Sequence, residues 1–389
     1  MPSQPEVRPI YMDHNATTPL HPRVLEAMMP YLTTHYGNAS SVSHQFGLEA
    51  AGAVDRGRTQ VAGMLGSSAE EVVFTSGATE SDNAAIKGVA WASKDRGRHI
   101  VTTSIEHRAV LESCRFLESE GFAVTYLPVD SHARVDPDDV RKAVRDDTIL
   151  ISVMHANSEV GTMQPVEAIG AFARERGIPF HVDATQTFAK LPARPAELGA
   201  DLVAFSGHKI YGPKGIGGLY VRRRRRLIPL QSGGGQERGR RSGTYNTPGI
   251  VGLGAACDLA ATDMAAEADR LRALSARFLE RVRSRIDGVA LNGHPTERLP
   301  NNMNLSFEHV EAEGLIAALR SVALSSGSAC ANETREPSYV MKALGASDER
   351  AHAAVRFGFG RDTSVADIDE VVDRLEAAVR RLRAMSHVA

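Results

Sequence analysis

Six short runs of apolar, largely β-branched residues recur between about Glu71 and Val221, separated by longer stretches with helical periodicity. The runs read EVVFTSG, HIVTTS, TILISVMHAN, PFHVDA, DLVAFSGHK and IGGLYV. Short runs of this kind that alternate with amphipathic helices are typical of parallel strands joined by crossover helices. The pattern therefore predicts an α/β fold with a mostly parallel sheet.

Polar side chains follow several of these runs, at the point where each predicted strand ends. The carboxyl ends of parallel strands meet at one edge of an open α/β sheet, which is where such sheets bind ligands. We therefore expect a site there, built from Ser76, from Ser104 with Glu106 and His107, from His155 with Asn157, from Asp183, and from Ser206 with His208 and Lys209.

A glycine-rich and charged segment, SGGGQERGRRSGTYNTPG, interrupts the pattern after the last of these strands. Its composition is typical of a loop. Beyond it we expect a long helix over about residues 251–286 and strands in NNMNLSF and AAVRFGFG. A chain of 389 residues suits two unequal domains. We predict a large domain over residues 14–260 and a small domain formed by residues 1–13 and 261–389.

The final helix has a clear local signal. Ser364 and Asp367 form a capping-box pattern at its start. Six apolar residues then recur at helical spacing and predict one buried face: Ile368, Val371, Val372, Leu375, Val379 and Leu382.

The charge balance and the cysteine content exclude several classes of protein. The 45 basic and 47 acidic side chains give a formal charge of -2, so we expect neither nucleic acid nor an anionic membrane as a direct partner. Three cysteines without a C-x-x-C pair argue against a disulfide framework and a structural zinc site. The N-terminal residues lack a signal-peptide pattern, and no stretch approaches the roughly 20 apolar residues of a membrane span. We expect a cytoplasmic protein.

The segment FSGHKIYGPKG, residues 205–215, places Lys209 directly after a β-branched strand and beside Ser206 and His208. A single lysine is most often a solvated surface charge. In this context it also fits the lysine that forms a Schiff base with pyridoxal phosphate, because that amine must be deprotonated while its neighbours bind a phosphate.

Two further segments fit the same cofactor. The segment HVDATQ ends a strand with Asp183, whose carboxylate could pair with a pyridinium nitrogen or could equally cap a helix. The segment TSGATESDN, residues 75–83, is a strand-to-helix turn. Its backbone N–H groups and the Thr79 hydroxyl could bind an anion, although helix capping alone explains the same residues.

Two more residues could have either a functional role or an ordinary structural or surface position. His107 follows the strand HIVTTS and could stack on a cofactor ring as an acid or base, whereas most histidines are structural or lie on the surface. Arg356, inside the alternating run VRFGF, either faces solvent or holds a carboxylate with two hydrogen bonds. The pattern alone favours the solvent-facing arginine.

Other chemistries draw little support. We predict no metal site, because H-E-x-x-H and clustered Cys/His spacings are absent. A serine nucleophile lacks the G-x-S-x-G turn. The run Arg222–Arg226 fits a solvated hairpin, and otherwise a contact with an acidic partner or RNA phosphate.

Taken together, seven segments resemble the cysteine desulfurase family of class V aminotransferase-type proteins, in order from about Tyr11 to Leu382. The resemblance is closest to the group that supplies sulfur for iron–sulfur clusters. It implies the pyridoxal phosphate fold-type I architecture, a large domain with a mostly parallel seven-stranded sheet, a smaller α+β domain, and a homodimer. The segments are DHNATTP, FTSGATESDN, EHRAVL, HVDATQ, FSGHKIYGPKG, GGGQERGRRSGT and SSGSAC…EPSYV.

Position by position, the resemblance implies a cofactor site and a substrate site. Lys209 would attach the cofactor, Asp183 would pair with its ring nitrogen, and His107 would stack on the ring. The substrate L-cysteine would be held through its carboxylate by Asn157 and Arg356. The other cofactor contacts would come from Gln186 beside the ring hydroxyl, from Ala78, Thr79, Ser206 and His208 around the phosphate, and from Thr244 of the other subunit.

The resemblance assigns the sulfur chemistry to Cys330. It lies among small polar residues that could not bury a thiol. It would take sulfur from L-cysteine as a persulfide, release L-alanine and pass the sulfur to an acceptor, which suits a mobile loop. His107 is our candidate to help form the thiolate. Cys114 and Cys257 lie in helical patterns, and we expect them to be packing residues.

Three questions stay open at this point. A related pyridoxal phosphate lyase, such as one acting on selenocysteine, would use Lys209 without Cys330. A sulfur carrier or RNA-binding module with a vestigial site would use Arg222–Arg226. The sulfur acceptor could be an iron–sulfur cluster scaffold or a tRNA or DNA thiolation protein.

Overall fold

The computed structural model describes residues 8–326 and 336–386. The strands are β1 Ile10–Tyr11, β2 Val72–Thr75, β3 His99–Thr103, β4 Ala123–Leu127, β5 Thr148–Met154, β6 Phe180–Asp183, β7 Leu202–Ser206, β8 Gly217–Val221, β9 Val289–Asn292, β10 Asn302–Phe307, β11 Val322–Ala323, β12 Ser325–Ser326 and β13 Ala354–Gly358. The helices are α1 Pro22–Thr33, α2 Gln45–Leu65, α3 Ala78–Ser93, α4 Arg108–Ser119, α5 Pro137–Ala143, α6 Val166–Glu175, α7 Pro195–Leu198, α8 Thr247–Arg285, α9 Ala312–Ala318, α10 Tyr339–Ala343, α11 Asp348–His352 and α12 Val365–Ser386.

The larger sheet has seven strands in the order β2-β8-β7-β6-β5-β3-β4. Every neighbouring pair is parallel except those of β8, which runs antiparallel to β2 and β7. The inner strands are buried along their whole length, as expected for a sheet covered on both faces. The predicted α/β class and the mostly parallel seven-stranded sheet are confirmed.

A second, antiparallel sheet has the order β12-β13-β10-β9. The N-terminal strand β1 joins this part of the chain by pairing in parallel with β11. Helix α8 runs without interruption through residue 260. The domain boundary predicted there stays a prediction.

Helix α8 contributes to two hydrophobic cores. Its first half packs into the core beneath the large sheet, and its second half packs into the core of the second sheet, together with α12. Among the described residues, α8 is the one helix long and apolar enough to cross a membrane, and 44% of its apolar stretch is buried. The expectation that no stretch approaches such a length is therefore wrong for α8, although a core helix gives the same signal.

Candidate active site

A cavity of ≈ 790 Å³ opens at the carboxyl ends of β6 and β7. It also borders the N-terminal segment around Asn15, the start of α3, and β13. The cavity lies at the predicted position, the edge of the sheet where the loops that follow the parallel strands meet. Nine of the predicted site residues line this cavity: Ala78, Thr79, His107, Asp183, Gln186, Ser206, His208, Lys209 and Arg356.

Lys209 ends the short turn that follows β7. Its Nζ donates hydrogen bonds to the backbone carbonyl oxygens of Asn15 at 2.7 Å and Ala16 at 2.6 Å. The amine is therefore held by main-chain atoms of a segment that is distant in sequence. This fixes the tip of the side chain at the floor of the cavity.

Asp183 is the last residue of β6 and is 7% exposed. One carboxylate oxygen, Oδ1, accepts from the Thr185 backbone N–H at 2.9 Å and from the Thr185 hydroxyl. These two donors stabilise the ionised carboxylate and fix its orientation. Asp183 thus presents a fixed negative charge on the cavity wall.

Another part of the cavity wall is suited to an anion. Helix α3 begins at Ala78, so the first-turn N–H groups of Ala78 and Thr79 lie at its positive end. Ser206 and His208 line the same cavity. Gly217 lies on β8 beside this turn, and any Cβ at that position would come within 2.7 Å of the Gly77 Cα. Close packing of backbone against backbone therefore holds the turn in place.

His208 is uncharged at neutral pH. Burial, together with the nearby Lys209 and Lys214 ammonium groups, lowers the pKa of His208 to about 4. Its Nδ1 lies 3.1 Å from the Thr17 hydroxyl. The side chain can therefore offer a hydrogen bond to an anion without adding a charge.

His107 immediately precedes α4 and caps it. Its Nδ1 accepts the Ala109 backbone N–H at 3.1 Å, so in the neutral ring the proton lies on Nε2. Burial lowers the pKa of His107, and the positive charge of Lys209 acts in the same direction. In this arrangement His107 is a neutral donor, and to act as a base it would first have to release Ala109.

Arg356 lies on β13 and is half-buried, not solvent-facing as the alternation alone favours. Its Nη2 pairs with Asp13 at 2.8 Å, and its Nη1 donates to the Ser158 carbonyl at 3.0 Å. The buried Nε has no hydrogen-bond partner among the described residues. A guanidinium that lines a cavity and is fixed by two partners is suited to hold a carboxylate there.

Gln186 is fixed by a pair of hydrogen bonds with Asn15. Its Nε2 donates to the Asn15 carbonyl at 3.0 Å, and its Oε1 accepts from the Asn15 side chain at 3.2 Å. Asn15 thus orders both Gln186 and the Lys209 amine, although its segment, DHNATTP, contributed no site residue to the prediction.

Two predicted site residues do not line this cavity. The side-chain amide of Asn157 is buried and hydrogen-bonded to backbone groups. It donates to the Ile105 carbonyl and accepts from the N–H groups of Glu159 and Val160. In this arrangement Asn157 supports the loop after β5. Thr244 lies exposed on the loop before α8. Its predicted role was at the site of another subunit, and it stays a prediction.

Cys330 lies outside the described residues. Ser325 and Ser326 on one side of it and Glu336 and Pro337 on the other all line the cavity. The other two cysteines are buried in the cores, as expected for packing residues.

Two buried acids lie near Asp183: Glu106, which was expected at this edge of the sheet without an assigned role, and Asp82, which was not predicted. Glu106 is fully buried, and burial raises its pKa to about 8. Asp82 on α3 is also buried, and burial together with Asp183 raises its pKa well above the usual range. Both groups are therefore neutral at neutral pH, so neither adds a negative charge next to Asp183. Burial raises the pKa of an acidic side chain, but no sequence pattern shows which acidic residues will be buried.

The residues present fit pyridoxal phosphate. An amine, a fixed carboxylate and a helix N-terminus face one cavity, and these match an aldehyde, a ring nitrogen and a phosphate. The positively charged Arg356 side chain at the wall of the same cavity adds a position for the carboxylate of an amino acid. No group of three or more potential metal ligands occurs within residues 8–326 and 336–386.

Comparison with known proteins decides the family. A model of the aminotransferase class-V family matches residues 10–371. A cysteine desulfurase IscS of Anaeromyxobacter dehalogenans is 50% identical over 380 residues, covering 97% of this chain and 94% of that one. This chain belongs to the cysteine desulfurases of that family. It is a pyridoxal phosphate-dependent enzyme, as the resemblance implied.

Solved structures agree with the cysteine desulfurase fold. A NifS-like protein superposes with a TM-score of 0.90 at 37% identity, covering 96% of this chain and 100% of that one. A structure described as SspA in complex with cysteine gives a TM-score of 0.81 at 38% identity, covering 90% and 98%.

Proposed function

We propose that this cysteine desulfurase converts L-cysteine to L-alanine and leaves the sulfur as a persulfide on Cys330. The observation that carries the proposal is a single cavity lined by Lys209, Asp183 and Arg356. The residues on both sides of the Cys330 segment border the same cavity.

Several residues that already line the cavity would together bind the cofactor. Lys209 would attach the cofactor, Asp183 would hold the proton of its ring nitrogen, and Gln186 would lie beside its hydroxyl. Ala78, Thr79, Ser206 and His208 would bind the phosphate. When bound, pyridoxal phosphate supplies an electron sink that stabilises negative charge at the α-carbon of an amino acid.

The substrate would be oriented by Arg356. Its guanidinium would bind the carboxylate of L-cysteine, while Asp13 and the Ser158 carbonyl keep the side chain in place. The Lys209 amine, once it is neutral, would take the α-proton, because it lies at the floor of the same cavity. His107 would offer its Nε2 proton to the substrate.

The sulfur step assigns Cys330 as the nucleophile. Cys330 is four residues from Ser326, and four residues of chain span at most about 14 Å. Its thiolate would form a bond to the substrate sulfur as the carbon–sulfur bond breaks, and the bonding electrons would stay with carbon. Proton transfer to that carbon then completes L-alanine. The step needs no external oxidant, since the substrate carbon is reduced as the two sulfur atoms join.

The homodimer is part of the proposal. Helix α1 exposes Leu25, Met29 and Leu32 on one face, and Tyr36 and Phe46 extend this apolar surface. Large exposed apolar surfaces of this kind are typical of interfaces between proteins. Thr244, exposed on its loop, would then reach the phosphate site of the partner.

The enzyme would act in the cytoplasm and pass its sulfur to an acceptor protein. We propose an iron–sulfur cluster scaffold as the acceptor, which is consistent with the IscS name of a relative that is 50% identical. A tRNA or DNA thiolation protein is the alternative acceptor. Offering the persulfide form to each class of acceptor, and measuring which one takes the sulfur, decides between them.

The test of the function is product formation with site-specific detection of the persulfide. We expect purified protein to form alanine from L-cysteine, and alkylation with mass spectrometry to place the extra sulfur on Cys330. Cys330→Ala should abolish sulfur transfer, whereas Cys114→Ala and Cys257→Ala, the matched controls, should retain it. Full transfer by Cys330→Ala would contradict the proposal, and preferential turnover of selenocysteine without Cys330 would favour a lyase.

A further inference from the structure

A second, narrow cavity of ≈ 40 Å³ lies behind Lys209. Lys209 lines both this cavity and the large one, so its side chain separates the two. A space of this size is large enough for at least one water molecule, and polar side chains form part of its mostly apolar wall. Lys209 is therefore in contact with a small separate cavity whose wall includes polar side chains.

Lys190 is one of the residues that line this rear cavity. Its Nζ is buried and has no hydrogen-bond partner among the described residues. The preceding residue, Ala189, has φ 55°, a left-handed conformation that alanine seldom adopts. A strained backbone next to a buried, unpartnered amine is costly to stability, and such a combination is typical of a functional position.

The other ionisable groups of this cavity do not neutralise Lys190. Burial lowers the pKa of His14, whose Nδ1 donates to the Gly358 carbonyl, so His14 is uncharged. The Tyr211 hydroxyl accepts a backbone N–H, and burial raises its pKa. The charged groups have partners elsewhere: Glu267 pairs with Arg270, and Arg361 pairs with Asp263.

Two positive neighbours act on the amine. Burial lowers the pKa of Lys190 to about 7, and the charges of Lys209 and Arg356 contribute in the same direction. Near neutral pH, Lys190 can therefore both accept and release a proton. Lys209, held by two carbonyl oxygens, is by contrast the amine whose protonated form is stabilised.

We propose that Lys190 is a positioning residue that shares one proton with Lys209 through the rear cavity. The proton leaves Lys209 Nζ and is taken up by Lys190 Nζ, so the pair keeps one positive charge and Lys209 becomes neutral and nucleophilic. This inference rests on the proposed function, since it concerns how Lys209 is prepared for its role. Amines that interact in this way titrate as a pair.

The test measures the rate at which the full-length protein, freed of cofactor, captures added pyridoxal phosphate as a function of pH. Capture is followed by visible absorbance and located by borohydride reduction and peptide mapping. Lys190→Met should slow capture at neutral pH about tenfold and shift the profile to higher pH, because Lys209 loses the alternative site for its proton. Lys190→Arg, with a permanent charge, should shift the profile to lower pH. Lys94→Met, which removes an exposed lysine, is the matched control.

The outcomes separate the two proposals. Opposite shifts for Lys190→Met and Lys190→Arg support the shared proton, because damage to the fold would slow both variants. Equal profiles for wild type and Lys190→Met, or shifts in the same direction for both variants, overturn it. If wild-type Lys209 captures no pyridoxal phosphate at any pH, the proposed function itself fails. Thermal unfolding of each variant gives a second check, since Lys190→Met should be at least as stable as wild type.

Discussion

The reactive side chains of this site are held mainly by the backbone. Lys209 is fixed by two carbonyl oxygens, Asp183 by the Thr185 N–H and hydroxyl, and His107 by the Ala109 N–H. Main-chain partners come from loops whose positions are set by the sheet. The geometry of the site therefore depends on the fold more than on neighbouring side chains.

The buried carboxyl group of Glu106 predicts a dependence of stability on pH. It is protonated up to pH about 8 in the folded protein, whereas an unfolded glutamate is protonated only below about 4.5. The stability it provides is therefore complete at low pH and falls between these values, by about 1.4 kcal/mol per pH unit at most. Glu106→Gln removes this dependence, since its side-chain oxygen can still accept from Thr103 and Met154.

Urea unfolding at about pH 5.5 and about pH 8 measures this effect. We expect Glu106→Gln to gain stability relative to wild type as the pH rises. The exposed Glu112→Gln should show no such change. Identical pH dependence in wild type and Glu106→Gln would show that Glu106 is ionised in the folded protein.

At the residue scale, the sequence predicted those groups whose position follows from a strand end. Asp183, Ser206 and Lys209 lie where the pattern placed them. It did not predict Asn15, because its role depends on a contact with Lys209, a residue 194 positions away. It did not predict Lys190, because no sequence pattern shows that this lysine is buried without a partner. Asn157 was placed at the correct strand, but the side chain's orientation depends on the backbone of its loop.

At the scale of elements, a buried ion pair ties the loop that carries Thr244 to the large sheet. Arg58 on α2 pairs with Glu237 through two hydrogen bonds of 2.6 and 2.7 Å, and Glu237 also accepts the Phe74 N–H of β2. Glu237 has φ 48°, so the loop is held in a left-handed conformation at this point. The pair therefore fixes the loop from within.

Breaking this pair on one side should be costly. Arg58→Met leaves the buried Glu237 carboxylate without its cationic partner, and we expect a loss of about 3 kcal/mol in the free energy of unfolding. Arg58→Met with Glu237→Gln should recover most of it. The exposed pair of Arg115 and Glu112 is the control, and Arg115→Met should cost less than about 1 kcal/mol. An Arg58→Met variant as stable as wild type in urea would contradict this account.

Local patterns predicted most elements, and the exceptions have physical reasons. The Ser364–Asp367 capping box and the apolar face of α12 occur as predicted. Strand β4 was not predicted, because it is an edge strand whose side chains are mostly half-exposed, which weakens the apolar run. Helix α8 continues through the domain boundary that was predicted after residue 260. No local sequence signal marks the point at which α8 stops packing into one core and begins to pack into the other.

At the scale of the whole molecule, two sheets and the N-terminal segment converge on one cavity. The proposed dimer would add Thr244 of a partner subunit to it. The apolar face of α1 is the surface that we expect the second copy to cover. Assembly and cofactor binding would then be coupled.

Placing charges on this apolar face of α1 tests whether dimer assembly and cofactor binding are coupled. Leu25→Glu with Met29→Glu should shift the protein from dimer to monomer in analytical ultracentrifugation, because each subunit would bury two charges in the interface. The monomer should also bind pyridoxal phosphate more weakly. The exposed Val365→Glu on α12 is the control. If the variant stays dimeric, the apolar face of α1 is not the dimer interface.

The most direct test of the central claim is the identity of the side chain that carries the cofactor. Wild-type protein with pyridoxal phosphate is reduced with borohydride, digested and mapped by mass spectrometry. We predict a reduced pyridoxyl group on Lys209 and on no other lysine, and its loss in Lys209→Ala. A label on a different lysine, or no label at all, would contradict the assignment of this cavity as the active site.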